Sequence, residues 1–191
     1  VGAICGDFVG MTALPEGVNT ESGPKLGFFP GSTIGNFEPD VAQEFLSRMR
    51  GVLGPGDGFV IGVDLKKDVT RLTAAYNDAA GYTAAFNKNV LVRMRNELDV
   101  AIDLDQFEHM AFFNEAKSRV EMHLRSLRTQ DIALGSQTFY LAKNEMIHTE
   151  NSCKYTVEDF KVLSEQAGFD PIEVWIDEQH DFSIHYLRMP G

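Results

Sequence analysis

The residues of this chain that could bind a small molecule are polar side chains near predicted strand ends and in loops. They are Asp7, Thr33, Asn36, Tyr76, Glu150 and Ser152. Hydroxyl, amide and carboxylate groups of this kind hold a polar ligand by hydrogen bonds. A carboxylate close to a hydroxyl, as in Glu150 and Ser152, suits a donor-rich group such as imidazole or ammonium. The alternative is that Glu150 only caps a turn beside a strand.

Other kinds of active site find little support in the residue spacing. None of the five histidines stands at a metal-ligand spacing, and His148-Thr-Glu150 lacks the helical turn that His-x-x-x-His supplies. There is no Gly-x-Ser-x-Gly elbow, and neither Cys5 nor Cys153 has a base nearby in the sequence. We therefore predict no metal site and no hydrolase.

The stretch Leu26–Pro39 carries two of these polar residues, Thr33 and Asn36. An apolar run turns at Pro30-Gly31 and leads through small polar residues into a helix. A buried strand followed by such a loop is how open α/β sheets build a ligand crevice, although an ordinary strand–helix connection remains the alternative. Two glycines without a Gly-x-Gly-x-x-Gly pattern give only a weak phosphate signal.

A second candidate strand end lies at the beginning of the chain. The apolar run Val1–Cys5 predicts a buried strand that ends at Asp7 and Phe8. A carboxylate beside an aromatic ring could hold an adenine, whereas Asp7 as a simple turn residue is the alternative. The following stretch, Met11–Lys25, has the composition of a solvent-exposed loop.

The remaining elements form a core sheet and an insertion. A helix from Pro39 to Gly51 and a buried strand over Phe59–Leu65 predict a parallel strand pair with the strand before them. Near the other end, a capping box at Thr156–Asp159 starts a helix. Two further strands then predict an antiparallel edge, and their bounds are Ile172–Ile176 and Phe182–Leu187.

The middle of the chain has a different character. Asp68–Leu98 is helical in composition but interrupted at Gly81, and we predict an inserted lid, with a solvated helix pair as the alternative. Arg119–Arg125 alternates apolar and polar residues at strand period, and Phe139–Leu141 is predicted to be its partner strand.

Composition restricts the class of protein. The chain has 191 residues, of which 43% are hydrophobic, and a net charge of −11. An acidic chain without a basic stripe argues against nucleic-acid binding, and no apolar run is long enough for a membrane span. Two distant cysteines fit a reducing cytoplasm, which we predict as the location.

Six motifs are spread over nearly the whole chain. They are Phe28–Phe37, Gly62–Asp68, Ala75–Asp78, Thr83–Asn87, Val120–Leu124 and Ile147–Glu150. Together they resemble a known family, the histidine-specific Nα-methyltransferases of ergothioneine biosynthesis.

The resemblance implies an α/β fold with a Rossmann-like class I methyltransferase sheet and an inserted substrate-binding subdomain. Residues 1–68 and 155–191 would form the core, and residues 69–154 the insertion. The implied cofactor is S-adenosyl-L-methionine, the implied substrate is L-histidine, and the full-length enzyme is expected to be a monomer.

The resemblance also implies roles for individual residues, although it assigns none to the chemical step beyond positioning by Gly31, Thr33 and Tyr76. Asp7 and Phe8 would contact the adenine. The residues implied in substrate binding are Gly31 and Thr33 at the amino group, Asn36 and Tyr76 at the carboxylate, Met122, Glu150 and Ser152 at the imidazole, and Thr83 nearby.

One part of the family pattern is missing. The glycine-rich cofactor loop, the acidic residue that follows it, and a tyrosine-bearing segment would precede Val1, so we expect this chain to be the C-terminal part of such an enzyme, with its sheet truncated on the N-terminal side. Two alternatives stay open. One is a relative that methylates another amino acid or a tryptophan-derived amine, and the other is a non-catalytic small-molecule-binding domain.

Overall fold

The computed structural model describes residues 3–14 and 23–191 of the chain. These residues divide into two units, each with its own core. Unit 1 comprises Val1–Lys67 and Cys153–Gly191, and unit 2 comprises Asp68–Ser152. Within the described part, no helix is long and apolar enough to cross a membrane.

The elements are numbered in chain order. The strands are β1 (Leu26–Phe29), β2 (Gly58–Asp64), β3 (Phe107–Asn114), β4 (Arg119–Ser126), β5 (Gln130–Leu134), β6 (Gln137–Leu141), β7 (Met146–Cys153), β8 (Asp170–Ile176) and β9 (Phe182–Arg188). The helices are α1 (Pro39–Val52), α2 (Val69–Tyr76), α3 (Tyr82–Glu97) and α4 (Val157–Gln166), with short 3₁₀ turns at Thr33–Asn36, Leu104–Gln106 and Glu115–Lys117.

Unit 1 is built on a mixed sheet with the strand order β1-β2-β9-β8. β1 and β2 are parallel, while β9 is antiparallel to both β2 and β8, which confirms the predicted parallel pair and antiparallel edge. The prediction that the strand at Leu26 is buried is wrong. Among the described strands, β1 lies at the edge of the sheet, and its Leu26 and Phe28 side chains are 62% and 70% exposed.

The two helices of unit 1 follow their sequence signals. α1 starts with Pro39 in its first turn, where a missing N–H costs nothing, and buries Phe45 and Leu46. α4 has the predicted capping box, in which the Thr156 hydroxyl accepts from the Asp159 backbone N–H and the Asp159 carboxylate accepts from that of Thr156. Its Phe160 side chain is fully buried in the same core.

A buried carboxylate fixes the start of the sheet. The Asp57 carboxylate accepts hydrogen bonds from the backbone N–H groups of Gly54 and Lys25, each at 2.7 Å. It also forms an ion pair with Lys25 Nζ at 2.6 Å. The Gly54 N–H, followed by the Lys25 contacts, lowers the pKa of Asp57 to about 2. This carboxylate therefore joins the turn before β2 to the residue before β1.

Replacing Asp57 with alanine should lower the free energy of unfolding by about 3 kcal/mol, because donors to a charged acceptor lose their partner. Since the folded pKa lies below the unfolded value of 3.8, this stabilisation is present above pH 3.8 and is lost as the pH falls towards about 2. Urea unfolding at neutral and acidic pH measures both effects. Asp170→Ala, at an exposed aspartate of β8, is the control, and equal losses in the two variants would contradict the role of Asp57.

Unit 2 combines α2 and α3 with a three-stranded sheet in the order β3-β4-β7 and a separate hairpin of β5 and β6. The predicted strand at Arg119–Arg125 is confirmed as β4. Its predicted partner is wrong, since Phe139–Leu141 lies in β6 and pairs with β5, whereas β4 pairs with β3. Alternation along one strand shows which face is apolar but does not identify the neighbouring strand.

The beginning of the chain also departs from the prediction. Residues 3–8 are irregular and exposed rather than a buried strand, while Val1 and Gly2 lie outside the described residues. No described strand pairs with this segment, and an extended segment without a partner leaves its backbone groups to water. Part of the predicted loop Met11–Lys25 likewise lies outside the described residues.

Candidate functional site

The loop after β1 is held against unit 1 by its backbone and by one hydroxyl. Ser32 adopts a left-handed conformation with φ 56°, and its Oγ accepts from the Asp64 backbone N–H at 2.8 Å. Gly35 packs so closely that a Cβ at this position would lie 2.9 Å from the Cys153 carbonyl oxygen. The loop and the 3₁₀ turn are therefore fixed relative to the end of β2.

Three predicted site residues lie on this fixed loop. Gly31 is exposed with φ 75°, a conformation that favours glycine. Thr33 is half-buried, and its hydroxyl lies 3.4 Å from the Pro30 carbonyl oxygen. Asn36 is exposed at the last position of the 3₁₀ turn. The amino-group and carboxylate roles predicted for these residues stay predictions.

Adding a methyl group at Gly35 should displace this loop. In the variant Gly35→Ala, the new Cβ would collide with backbone atoms that cannot rotate away, at an expected cost of about 1–3 kcal/mol in the free energy of unfolding. Thermal unfolding measures the change. Gly6→Ala is the matched control, because a Cβ there meets nothing within 4 Å, and an unchanged stability in Gly35→Ala would contradict the tight packing.

The pair predicted to contact adenine, Asp7 and Phe8, lies in the irregular N-terminal segment. The Phe8 ring is 44% exposed and packs on Phe29 and Phe45 at centroid distances of 5.7 and 6.3 Å. The Asp7 carboxylate is oriented by the Val9 backbone N–H at 2.9 Å. The adenine contact expected of Asp7 and Phe8 stays a prediction.

Two of the three predicted imidazole-binding residues, Glu150 and Ser152, lie on β7 of unit 2, whereas Met122 lies on β4. Glu150 and Ser152 are separated by one residue, so their side chains leave the strand on the same face. The Tyr76 hydroxyl, at the end of α2, donates to Ser152 Oγ at 2.8 Å. Ser152 is buried and Glu150 is half-buried, and burial raises the pKa of the Glu150 carboxyl above its usual range.

A cavity of about 500 Å³ in unit 2 opens beside Glu150. Phe86 and Val90 of α3 and Ile147 and His148 of β7 contribute to its wall. The other predicted residues are not among its lining. Tyr76, Thr83, Met122 and Ser152 lie elsewhere in unit 2, with Met122 buried on β4 and the Thr83 N–H bonded to Asp78 at 2.8 Å.

A set of polar residues that the sequence did not indicate is joined by hydrogen bonds within unit 2. Asn87 on α3 is only 4% exposed, and its amide contacts His109 on β3 and Thr149 on β7. The available signal was an asparagine one helical turn before the apolar Leu91, which places its amide on the buried face of α3. A buried amide requires hydrogen-bonding partners.

Three more ionisable groups cluster on β4 and β7 of unit 2. The ligand atoms of Glu121, His123 and His148 lie within 4.8 Å of one another. Two observations disfavour a cation here. The two imidazole rings stack at 4.5 Å and 16°, so their in-plane lone pairs do not converge, and Arg119 already neutralises Glu121 with bonds of 2.6 and 2.8 Å.

This cluster is therefore best understood as a buried ion pair. Burial acts to raise the pKa of Glu121, but hydrogen bonds from Arg119, His123 and Asn114 outweigh it and lower the pKa to about 2. The Phe112 and His123 rings stack at 5.0 Å and 10° beside it. The Arg119–Glu121 pair lies on β4 of unit 2, and the expected absence of a metal site stays a prediction.

Comparison with known proteins places the chain in a class of enzyme. The chain belongs to a family of methyltransferases that depend on S-adenosylmethionine. That family is described as histidine-specific, and its model matches residues 1–189. The mixed α/β architecture of unit 1 agrees with the Rossmann-like sheet expected for such an enzyme.

Two bacterial relatives are named histidine N-alpha-methyltransferase. The chain is 40% identical over 188 residues to a histidine N-alpha-methyltransferase of Mycobacterium tuberculosis and 42% identical over 188 residues to one of Mycolicibacterium smegmatis, covering 96% of this chain in both. The chain spans 57% of the length of each of these relatives.

A solved structure resembles the chain more loosely. It is an S-adenosylmethionine-dependent methyltransferase from Clostridium acetobutylicum, with a TM-score of 0.48, 11% identity, and coverage of 98% of this chain and 64% of that one. The family assignment rests on the family model and on the sequence relatives, not on this likeness.

Proposed function

We propose that the protein containing this chain methylates the α-amino nitrogen of L-histidine, using S-adenosylmethionine, to form hercynine on the route to ergothioneine. The proposal is supported by the family and by relatives named histidine N-alpha-methyltransferase and ergothioneine biosynthesis protein 1, the latter from Neurospora crassa at 30% identity. The observation that carries it is the polar group on β7, in which Glu150 and Ser152 share one face and Tyr76 holds Ser152.

In this proposal unit 2 binds the histidine side chain, and unit 1 forms part of the methyltransferase core. A neutral imidazole has one N–H donor and one acceptor nitrogen. The Glu150 carboxylate accepts from the N–H, and the Ser152 hydroxyl, held by Tyr76, is the partner of the other ring nitrogen. An indole has no acceptor nitrogen, so it leaves Ser152 unmatched, and this difference favours histidine.

The work of the protein's residues in methyl transfer is positioning. S-adenosylmethionine supplies a methyl group on a sulfonium centre, whose leaving group needs no acid catalyst. The chain's polar groups orient a neutral amine so that its lone pair faces the methyl carbon, and exclusion of water keeps that geometry. No strong base is needed, because the amine proton passes to water or to a nearby oxygen. The roles of Gly31, Thr33 and Asn36 in this step stay predictions.

From the composition and the family we further propose a monomeric protein of the cytoplasm that acts on a small molecule and not on nucleic acid. Size-exclusion chromatography with light scattering tests the oligomeric state directly.

The activity itself is tested by methyl transfer with the purified product of the complete gene. S-adenosylmethionine is supplied with histidine, tryptophan, tyrosine or lysine, each alone, and the products are identified by mass spectrometry. Successive methyl additions to histidine alone support the proposal. Methylation of a different amine would overturn the substrate assignment while keeping the chemistry, and no turnover with any amine would favour a binding domain.

A further inference from the structure

A chain of hydrogen bonds in unit 2 connects Tyr76 to the residue before Glu150. The His109 ring on β3 lies between the Tyr76 carbonyl oxygen, 2.8 Å from Nε2, and the Asn87 amide, 2.9 Å from Nδ1. On its other side, Asn87 Oδ1 lies 2.6 Å from the Thr149 hydroxyl. None of these links has a role in the function proposed above.

The orientation of the Asn87 amide follows from its neighbours. Its Nδ2 lies 3.0 Å from the His123 carbonyl oxygen, which can only accept a hydrogen bond. The amide nitrogen must therefore face that carbonyl, and its oxygen must face Thr149, whose hydroxyl donates. With this orientation, both N–H groups of Asn87 are used, one on the His123 carbonyl and one on His109.

The tautomer of His109 follows in turn. Because the Asn87 amide donates, Nδ1 of His109 must accept and cannot carry a proton. The Tyr76 carbonyl oxygen can only accept, so Nε2 must carry the proton and donate it. The partners of Nδ1 and of Nε2 therefore indicate the same tautomer independently. A proton on Nδ1 would place its N–H against an N–H of the Asn87 amide.

These bonds fix Tyr76 at both of its ends. Its backbone carbonyl, at the last residue of α2, is held by His109, and its phenol is bonded to Ser152. Asn77 completes this anchorage, because its amide donates to the carbonyl oxygens of Thr73 and Ala111. A helix end has carbonyl groups without helical partners. Here His109 of β3 donates to the Tyr76 carbonyl oxygen and Asn77 donates to that of Thr73.

The same asparagine reaches the other end of the predicted imidazole site. The Thr149 hydroxyl lies 2.6 Å from Asn87 Oδ1 and 2.9 Å from the Met122 carbonyl oxygen, so its proton is shared between them. Thr149 directly precedes Glu150 on β7. The buried Asn87 amide is thus linked to Tyr76 through His109, and directly to Thr149, the neighbour of Glu150.

We propose that Asn87 and His109 are positioning residues, which hold Tyr76 and the Glu150 strand in the arrangement that binds the histidine substrate. The inference rests on the proposed function. It assigns no contact between either residue and the substrate, so their effect is transmitted through the hydrogen bonds described above.

Two substitutions at His109 separate its two bonds. His109→Gln can place an amide N–H near the position of Nε2 and keep the donor to Tyr76, whereas His109→Asn can keep an acceptor for Asn87 but loses that donor. We expect His109→Asn to raise the histidine KM about tenfold and His109→Gln to change it less than about threefold, since one buried hydrogen bond is at stake. The KM for S-adenosylmethionine and the thermal stability of both variants are measured alongside.

A second arm tests whether the effect passes through Tyr76. In the background of Tyr76→Phe, which lacks the hydroxyl bonded to Ser152, His109→Asn should raise the histidine KM less than it does in the wild type, because coupled residues are not additive. His180→Asn, at an exposed histidine of unit 1, is the matched control and should leave both KM values unchanged. Equal KM increases in the two backgrounds, or equal losses in the Gln and Asn variants, would overturn the positioning role.

A third arm does not depend on turnover. With ¹⁵N-labelled histidine, NMR should find the proton of His109 on Nε2 alone. Asn87→Asp should add a proton on Nδ1 while Nε2 keeps its own, because the new carboxylate and the Tyr76 carbonyl oxygen are both acceptors. A proton on Nδ1 in the wild type would overturn the inference. If histidine is not methylated by the wild type, the proposed function fails, and the NMR result then decides on the hydrogen-bond chain separately.

Discussion

Replacing Glu150 with alanine is expected to raise the histidine KM about ten- to a hundredfold, because a charged hydrogen bond to the imidazole is lost. The KM for S-adenosylmethionine should change much less. The carboxylate is half-buried beside a cavity and shares a strand face with Ser152. A site that holds a ligand N–H in this way discriminates against ligands that leave its acceptor unpaired.

Initial-rate measurements over both substrates check this prediction. Glu115→Ala removes an exposed glutamate of the same unit and serves as the matched control. Glu150→Gln adds a finer test, since it keeps the shape of the side chain and removes only the charge. Equal increases in the two KM values for Glu150→Ala would contradict the assigned role.

The same residue predicts a pH dependence. Burial raises the pKa of Glu150 from its ordinary value of 4.5. Only the ionised carboxylate accepts from the imidazole N–H without competition from its own proton, so the histidine KM should rise as the pH falls through this raised pKa. The rise should begin at a higher pH than an exposed glutamate would give, and Glu150→Gln should abolish this component of the profile.

Replacing Arg119 with leucine is expected to lower the free energy of unfolding by about 3–5 kcal/mol, because it leaves the buried Glu121 carboxylate without its main partner. Both residues are more than nine-tenths buried, at 6% and 7% exposure. Urea unfolding monitored by circular dichroism measures the loss. Arg93→Leu, which breaks the exposed pair with Glu97, is the control and should cost much less, because exposed ion pairs contribute little to stability.

Two further measurements distinguish the loss of a charge partner from the loss of packing. Adding Glu121→Leu to Arg119→Leu removes the unpaired charge and should restore most of the stability. In the wild type, the folded pKa of Glu121 at about 2 lies below the ordinary value of 4.5. The contribution of Glu121 to the free energy of unfolding is therefore present above pH 4.5 and declines as the pH falls towards about 2. A double variant no more stable than Arg119→Leu would contradict the ion-pair account.

Local signals in the sequence predicted where the two helices of unit 1 start. Pro39 and the Thr156–Asp159 box mark the helix starts because capping is decided by residues within one turn. Long-range features were not predictable in the same way. The exposure of Leu26 depends on β1 being at the sheet edge, and the pairing of Phe139–Leu141 depends on a hairpin partner that the alternation does not specify.

The same distinction applies to the candidate site. Glu150 and Ser152 were predicted because their chemistry and spacing are visible in one short stretch of sequence. Asn87 and His109 were not, because they are functional only through partners on other elements: a carbonyl of α2, a hydroxyl of β7 and a carbonyl of β4. Hydrogen bonds between residues this far apart in sequence become apparent only in the folded structure.

The division of the chain has a consequence for the order in which it folds during synthesis. Unit 2 is one continuous stretch, Asp68–Ser152, so the ribosome delivers all of it before the second part of unit 1. The sheet of unit 1 cannot form completely before this second part is synthesised, because β2 pairs with β9, with Gly58 opposite Arg188. Pairing over so long a separation is slow, and until it occurs the edge of β2 lacks its neighbour. During synthesis, unit 1 therefore exposes an unpaired strand edge for longer than unit 2 takes to be made. We expect chaperones to bind the nascent chain until β9 has been synthesised and paired with β2.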